Sequence, residues 1–158
     1  MRTKLEKILK EYAGKGVFRG FSADRTASIG QPSFRLLWHR NQFFDLFFDA
    51  KTKTLRIPLV MPSVDPPMYA HYKEFVRERC STAQPEHRRI DPKKVRVRTA
   101  CKSGKVALSI VSADGDVEYA LRKLIHLVHE TYMVFLYDGR YYSYLLDTFD
   151  LDPDTLAG

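Results

Sequence analysis

The sequence predicts an α+β domain, and three patterns lead to that prediction: an aromatic meander, an alternating hairpin and amphipathic helices around them. Residues 33–61 contain three aromatic-rich segments whose side chains alternate between two faces, as those of β-strands do. Residues 96–111 alternate basic and apolar side chains around Ser103-Gly104, which is typical of a two-residue hairpin turn. The predicted order is α-βββ-α-ββ-α, an antiparallel sheet of about five strands (three-stranded meander plus hairpin) flanked by three helices.

The first predicted helix places Leu5, Ile8, Leu9 and Tyr12 at i, i+3, i+4 and i+7, the spacing of one helix face. The first helix covers residues 2–13 and ends at the Gly-Lys-Gly run at 14–16. The second begins at the Asp-Pro-Pro run at 65–67, because aspartate caps a helix and proline fits its first turn. It runs to about Cys80, and the third helix extends from Val117 to about Leu136.

The connecting segments indicate one domain. Val17–Phe21 could be a short edge strand, and Ser22–Pro32 is the longest loop. Pro58 predicts that the end of the third meander strand lies at a sheet edge or in a bulge, because proline donates no ladder hydrogen bond. We assign residues 1–136 to a single α+β domain and residues 137–158 to a packed C-terminal segment and acidic tail of the same domain, with a short helix at Tyr141–Phe149.

The register of the meander follows from its apolar pattern. A turn centred on Asn41 places Phe34, Leu36 and Trp38 opposite Phe48, Leu46 and Phe44. A second turn at Ala50-Lys51 places Asp45 opposite Arg56. The reverse face then carries Leu37, Phe43 and Phe47, a surface too apolar to be left to water without a reason. We predict that these three residues bind a partner; cover by a helix of the chain or by a second copy is the alternative.

The positive charge is concentrated near the hairpin. The chain carries a net charge of +7, and residues 77–105 hold ten Lys/Arg against three Asp/Glu. Such a patch attracts anions, and the candidate residues are Arg88, Arg89, Lys94, Arg96 and Arg98. A solvated surface is the plainer explanation. Nucleic-acid modules that use a sheet add aromatic residues to the basic face, and this hairpin has none there, so nucleic-acid or phosphate binding is the alternative function.

The sequence favours a protein that is not an enzyme. His126 and His129 lie one turn apart on the third helix, with Glu130 beside them, but no third metal ligand follows at a suitable spacing. We expect no metal and no cofactor. No run of about 18 apolar residues is present, which argues against a membrane span, and the N-terminus lacks the apolar centre of a signal peptide. Cys80 and Cys101 are expected to be free thiols in a reducing cytoplasm.

The chain resembles the YbjN-like proteins, which share their fold with the type III secretion chaperones. The resemblance is carried by residues 47–57 leading into the helix at 68–79, by residues 105–110 and by the Asp-Gly-Asp turn at 114–116 before the third helix, and it covers Met1–Leu136. It implies a homodimer with a curved antiparallel sheet, whose apolar patches in the chaperone branch hold an extended client segment. The YbjN branch is linked to regulation and stress.

Those chaperones are typically acidic, whereas this chain is basic. We therefore expect a generic binding module rather than a secretion role. The expected function is to hold a protein or peptide segment, in a chaperone-like or regulatory way, on the apolar sheet face with a basic flank.

Overall fold

The chain forms one antiparallel sheet whose buried side chains and helices make a single core. The computed structural model describes residues 1–85, 88–137 and 140–149. The strands are β1 Gly20–Ala23, β2 Ser33–Leu37, β3 Phe43–Asp49, β4 Thr54–Met61, β5 Val95–Lys102 and β6 Lys105–Ser112. They lie in the order β1-β2-β3-β4-β6-β5. The predicted α+β class is confirmed, and β1 adds a sixth, short edge strand that begins three residues later than the possible strand Val17–Phe21 and overlaps it.

Four α-helices accompany the sheet: α1 Arg2–Gly14, α2 Pro66–Arg79, α3 Val117–Glu130 and α4 Tyr142–Thr148. The predicted caps are present. The carboxylate of Asp65 accepts a hydrogen bond from the Met68 amide at 2.8 Å, and that of Asp116 accepts one from the Tyr119 amide at 3.1 Å. None of the helices among the described residues is long and apolar enough to cross a membrane.

The third helix is α-helical over a shorter range than predicted. It ends at Glu130 and continues as a π-helical segment, Thr131–Leu136. The hydroxyl of Thr131 donates to the Leu127 carbonyl at 2.8 Å, where it competes with the regular backbone hydrogen bond. The predicted helix stop at Asp138-Gly139 and most of the acidic tail, residues 150–158, lie outside the described residues.

The predicted faces of the meander are correct, but its register is wrong by two residues. Phe34 lies opposite Leu46 and Leu36 opposite Phe44, because the first turn is centred one residue earlier, with Arg40 and Asn41 both in the left-handed region. Asp45 therefore lies opposite Arg35 on the β2 side.

The second meander turn causes the same kind of error. It extends over residues 50–53, with Lys53 left-handed, and it brings Arg56 opposite Phe47. Because both shifts are even, every side chain keeps its predicted face.

The hairpin register is confirmed residue by residue. Val97, Thr99 and Cys101 lie opposite Ile110, Leu108 and Val106. Ser103 and Gly104 both have positive φ, as the two central residues of a type I′ turn require. Pro58, where the sequence predicts an edge or a bulge, lies within a register shift between Ile57 and Met61 in the pairing of β4 with β6.

The core lies between the helices and one face of the sheet, which we call the inner face. The strands contribute alternate residues, among them Phe34, Leu36, Phe44, Leu46, Phe48, Leu55, Ile57, Leu108 and Ile110. Leu5 and Leu9 of α1, Tyr72 of α2 and Leu121 and Leu124 of α3 are buried in the same cluster. The opposite side of the sheet, the outer face, is where the candidate site lies.

Candidate binding surface on the outer face of the sheet

The outer face exposes large apolar side chains in the middle of a strand. Phe43 and Phe47 of β3 are 65% and 45% exposed, and no helix in the described part of the chain covers them. Leu37, which lies directly opposite Phe43, is half-buried. The three residues predicted from the sequence thus share this face, and the two phenylalanines are the more accessible of the three.

Strand order brings basic side chains onto the same face as the phenylalanines. Because β6 lies between β4 and β5, Phe47, Arg56, Ser109 and Arg98 form one continuous row across four strands. Arg96 occupies the neighbouring row, opposite Val111. The predicted apolar residues therefore share one surface with Arg96 and Arg98 of the predicted basic patch.

Three of the predicted basic residues lie elsewhere. Lys94 forms ion pairs with Asp114 at 3.2 Å and with Asp116 at 3.1 Å, at the start of α3. Hydrogen bonds to Asp116 and Asp114 raise the pKa of Lys94. Arg88 and Arg89 lie in the connection between α2 and β5, and Arg89 donates to the Gln84 carbonyl at 3.4 Å. Of the predicted basic set, Arg96 and Arg98 lie on the outer face.

A cavity of about 710 Å³ opens at one end of the outer face. Phe47, Arg56 and Arg98 form its floor, and the loop between β1 and β2 forms one wall through Ala27, Ser28 and Gln31. This volume lies within the range of roughly 300–1,000 Å³ that ligand-binding clefts show. A second cavity, of about 340 Å³, also has Phe47 in its lining, so this ring separates two depressions.

The loop that forms the wall, residues 24–32, is held in place by hydrogen bonds. The Asp24 carboxylate accepts from the Thr26 amide at 2.9 Å and from its hydroxyl at 2.6 Å, and these bonds lower the pKa of Asp24. At the far end, the amide of Phe48 donates to Pro32 at 3.0 Å and that of Ala50 donates to Gly30 at 2.9 Å. The loop is thus an ordered part of the surface.

The charges of the outer face are distributed unevenly. On β2 and β3 the guanidinium of Arg35 pairs with Asp45 at 2.9 Å and lies 5.6 Å from the centre of the Phe43 ring. Arg56 and Arg98, by contrast, form no side-chain ion pair or hydrogen bond with any described residue. Because both line the large cavity, its floor combines an exposed aromatic ring with two unneutralised cations.

Sequence reasoning missed two components of this surface. Arg56 was placed opposite Asp45, and the two-residue register error hid its position beside Phe47. The loop at 24–32 was predicted only as a loop, although the Asp-x-Thr pattern at residues 24–26 is typical of an Asx turn that orders the backbone. Ile29, near the tip of that loop, is 97% exposed.

The residues considered as candidates for catalysis or metal binding form packing contacts, hydrogen bonds and ion pairs. His126 lies 3.3 Å from the Tyr12 hydroxyl, and Glu130 pairs with Arg79 at 3.0 Å. Burial raises the pKa of the Cys80 thiol, which lowers its reactivity. Within the described residues, no group of three or more His, Cys, Asp and Glu side chains is arranged to hold a metal ion.

Comparisons of the chain with protein-family models, with curated proteins and with solved structures found no significant match.

Proposed function

We propose that this protein is a non-enzymatic binding module that holds an extended segment of another protein on the outer face of its sheet. The observation that supports this proposal is the position of Phe47: it is 45% exposed, and it shares one cavity with the unpaired cations Arg56 and Arg98. Contiguous exposed apolar surface of this kind is typical of interaction sites. The free thiols of Cys80 and Cys101 suit a reducing compartment such as the cytoplasm.

The mechanism is burial of apolar anchors with charge steering. Each side chain of a partner that is fully buried against Phe43 or Phe47 contributes about 1.5–3 kcal/mol before ordering costs are subtracted. The arginines raise the association rate of an acidic partner and fix its register. Binding is therefore expected to be reversible and only moderately sensitive to salt.

Nucleic-acid binding is a second candidate, and one observation favours it. The basic hairpin carries no aromatic residue on its outer side, but β3 supplies Phe43 and Phe47 to the same face. Single-stranded nucleic acids bind to surfaces where bases stack on aromatic rings and phosphates meet Lys and Arg. This candidate predicts a steep loss of affinity as salt is raised.

The test is capture from native lysate with the double variant Phe43→Asp/Phe47→Asp, at low and high salt, with bound protein and nucleic acid both identified. Met133→Asp is the matched control, because Met133 is an exposed apolar residue in the π-helical segment. We expect an identified protein to be captured at both salt concentrations by the wild type and the control, and to be lost from the double variant. Equal capture by the wild type and the double variant would contradict the proposal.

The molecular mass in solution separates a partner protein from a second copy. The resemblance to YbjN-like proteins implies a homodimer, and we propose that the dimer leaves the outer face free. If light scattering shows a dimer that Phe43→Asp/Phe47→Asp converts to a monomer, the occupant of the face is another copy of the chain and not a client segment.

A further inference from the structure

We infer that the segment held on the outer face is acidic, with one carboxylate bound between Arg56 and Arg98 and a neighbouring apolar side chain in contact with Phe47. This inference rests on the proposed function and specifies the partner's chemistry. It follows from the geometry of the row Phe47–Arg56–Ser109–Arg98 and from the distribution of carboxylates around it.

The two arginines lie on either side of a small residue. Arg56 and Arg98 are both direct neighbours of Ser109 across the strands, so their Cα atoms are roughly 10 Å apart at the usual strand spacing. The short side chain of Ser109 leaves the space between them open, and both guanidinium groups are long enough to reach into it. Guanidinium groups bind carboxylates through paired N–H donors, so two of them can hold one carboxylate above Ser109.

The charges near the cavity favour a single anion over a polyanion. Asp24 and Asp49 line the same cavity as Arg56 and Arg98. A nucleic-acid strand carries a phosphate on every nucleotide, so a strand stacked on Phe47 would bring further phosphates close to these carboxylates. A peptide places its negative charge only where it has an acidic residue, and so it can meet the arginines without meeting the aspartates.

The same row sets an approximate spacing within the partner. The point above Ser109 is about two strand spacings, roughly 10 Å, from Phe47. An extended chain advances roughly 3.3 Å per residue, and its side chains alternate between faces. Because only side chains an even number of positions apart share a face, the acidic residue should stand two or four positions from the apolar residue that contacts Phe47.

Selection from a phage-displayed library of random peptides, carried out on the full chain, tests this inference. Three variants are compared with the wild type: Arg56→Gln/Arg98→Gln, Phe43→Asp/Phe47→Asp, and the control Arg88→Gln/Lys93→Gln. The control removes two positive charges from exposed positions off the outer face. We expect the wild type and the control to enrich peptides with Asp or Glu two or four positions from an aromatic or aliphatic residue.

The arginine variant should lose the acidic preference and keep the apolar one. For a synthetic peptide of the enriched sequence, we expect Arg56→Gln/Arg98→Gln to weaken binding about tenfold or more, as loss of hydrogen bonds between charged groups does, and the control to change it little. Arg56→Lys/Arg98→Lys, which keeps the charge without the paired donors, should weaken binding to an intermediate degree. Circular dichroism of each variant verifies that it is folded, and the single variant Arg98→Gln replaces the double one if it is not.

The outcomes separate the two proposals. Two results would overturn the inference and leave the proposed function standing. The first is peptide enrichment that depends on Phe43 and Phe47 but shows no preference for acidic residues. The second is a preference for acidic residues that survives in Arg56→Gln/Arg98→Gln. If no enrichment depends on the phenylalanines, the proposed function fails as well. Tight binding of a labelled single-stranded RNA that falls steeply with salt and is lost in Arg56→Gln/Arg98→Gln overturns the acidic-peptide assignment in favour of nucleic acid.

Discussion

The two faces of β3 carry the same residue type in opposite environments. Phe44 and Phe48 on the inner face are each 2% exposed, whereas Phe43 and Phe47, one position away, are 65% and 45% exposed. The alternation of a strand sorts identical side chains into core and surface. Antiparallel sheets with one solvated face usually place polar residues there. Hydrophobicity alone therefore does not explain the outer phenylalanines, which lie outside the core.

The inner and outer phenylalanines of β3 also differ in the side chains that they contact. On the inner face, the Phe44 ring packs edge-on against Trp38 and Tyr132 at centroid distances of 5.6 and 5.9 Å. On the outer face, the ring contact of Phe43 is with the Arg35 guanidinium, 5.6 Å away. The inner rings are thus surrounded by apolar neighbours, and the outer rings are available to a partner.

The largest expected effect is the difference in stability between neighbouring alanine variants. Phe44→Ala should lower the free energy of unfolding by about 3–5 kcal/mol, because it removes buried apolar surface and leaves a cavity. Phe43→Ala should change it by no more than about 0.5 kcal/mol, as exposed substitutions do. Urea denaturation of both variants measures the contrast. A large decrease in the free energy of unfolding of Phe43→Ala would mean that the outer face is covered in solution.

Protonation of His39 should produce the next largest effect on the free energy of unfolding. The imidazole stacks between Trp38 and Tyr132, at centroid distances of 4.7 and 4.6 Å. Burial lowers the pKa of His39 to about 3, with further contributions from His129 and Arg40. Because the unfolded chain takes up this proton near pH 6.5 and the folded chain does not, stability should fall as the pH decreases from about 6.5 towards 3.

The slope of this loss is at most about 1.4 kcal/mol per pH unit, or about 2 kcal/mol by pH 5. His39→Phe is the control, because it keeps a planar ring in the stack and cannot be protonated. We expect the difference in unfolding free energy between the wild type and this variant to change between pH 7 and pH 5 in favour of the variant. A difference that is independent of pH would show that the imidazole is protonated in the folded protein.

The faces of this sheet could be predicted from the sequence, and the register of the meander could not. Period-two alternation is insensitive to a turn that shifts by one position, since the pairing then moves by two residues and each face is preserved. The turns themselves depend on left-handed Arg40 and Lys53, residue types that give no signal for positive φ. The register of the hairpin was predicted correctly because Gly104 is a residue type that does indicate positive φ.

The candidate site was predictable to a similar extent. The sequence singles out three of its residues. Phe43 and Phe47 are apolar at strand positions where a polar residue is expected, and Arg98 belongs to the alternation of basic and apolar residues in the hairpin. Their meeting on one surface depends on β4 pairing with β6, a contact between segments about 50 residues apart that local patterns do not encode. The position of Arg56 follows from the register and that strand order together, so it could emerge only from the structure.

The smallest expected effect concerns the ion pair of the outer face. Arg35 and Asp45 are both accessible to solvent, and water screens such pairs so strongly that they add little to stability. A double-mutant cycle of Arg35→Gln and Asp45→Asn should therefore give no measurable coupling in urea denaturation. The cycle is repeated at low and high protein concentration, because a second copy seated on Phe43 would exclude water from the pair and strengthen its coupling. If the outer face stays open for a client segment, we expect no coupling at either concentration. Coupling that increases with protein concentration would instead assign the outer face to self-association.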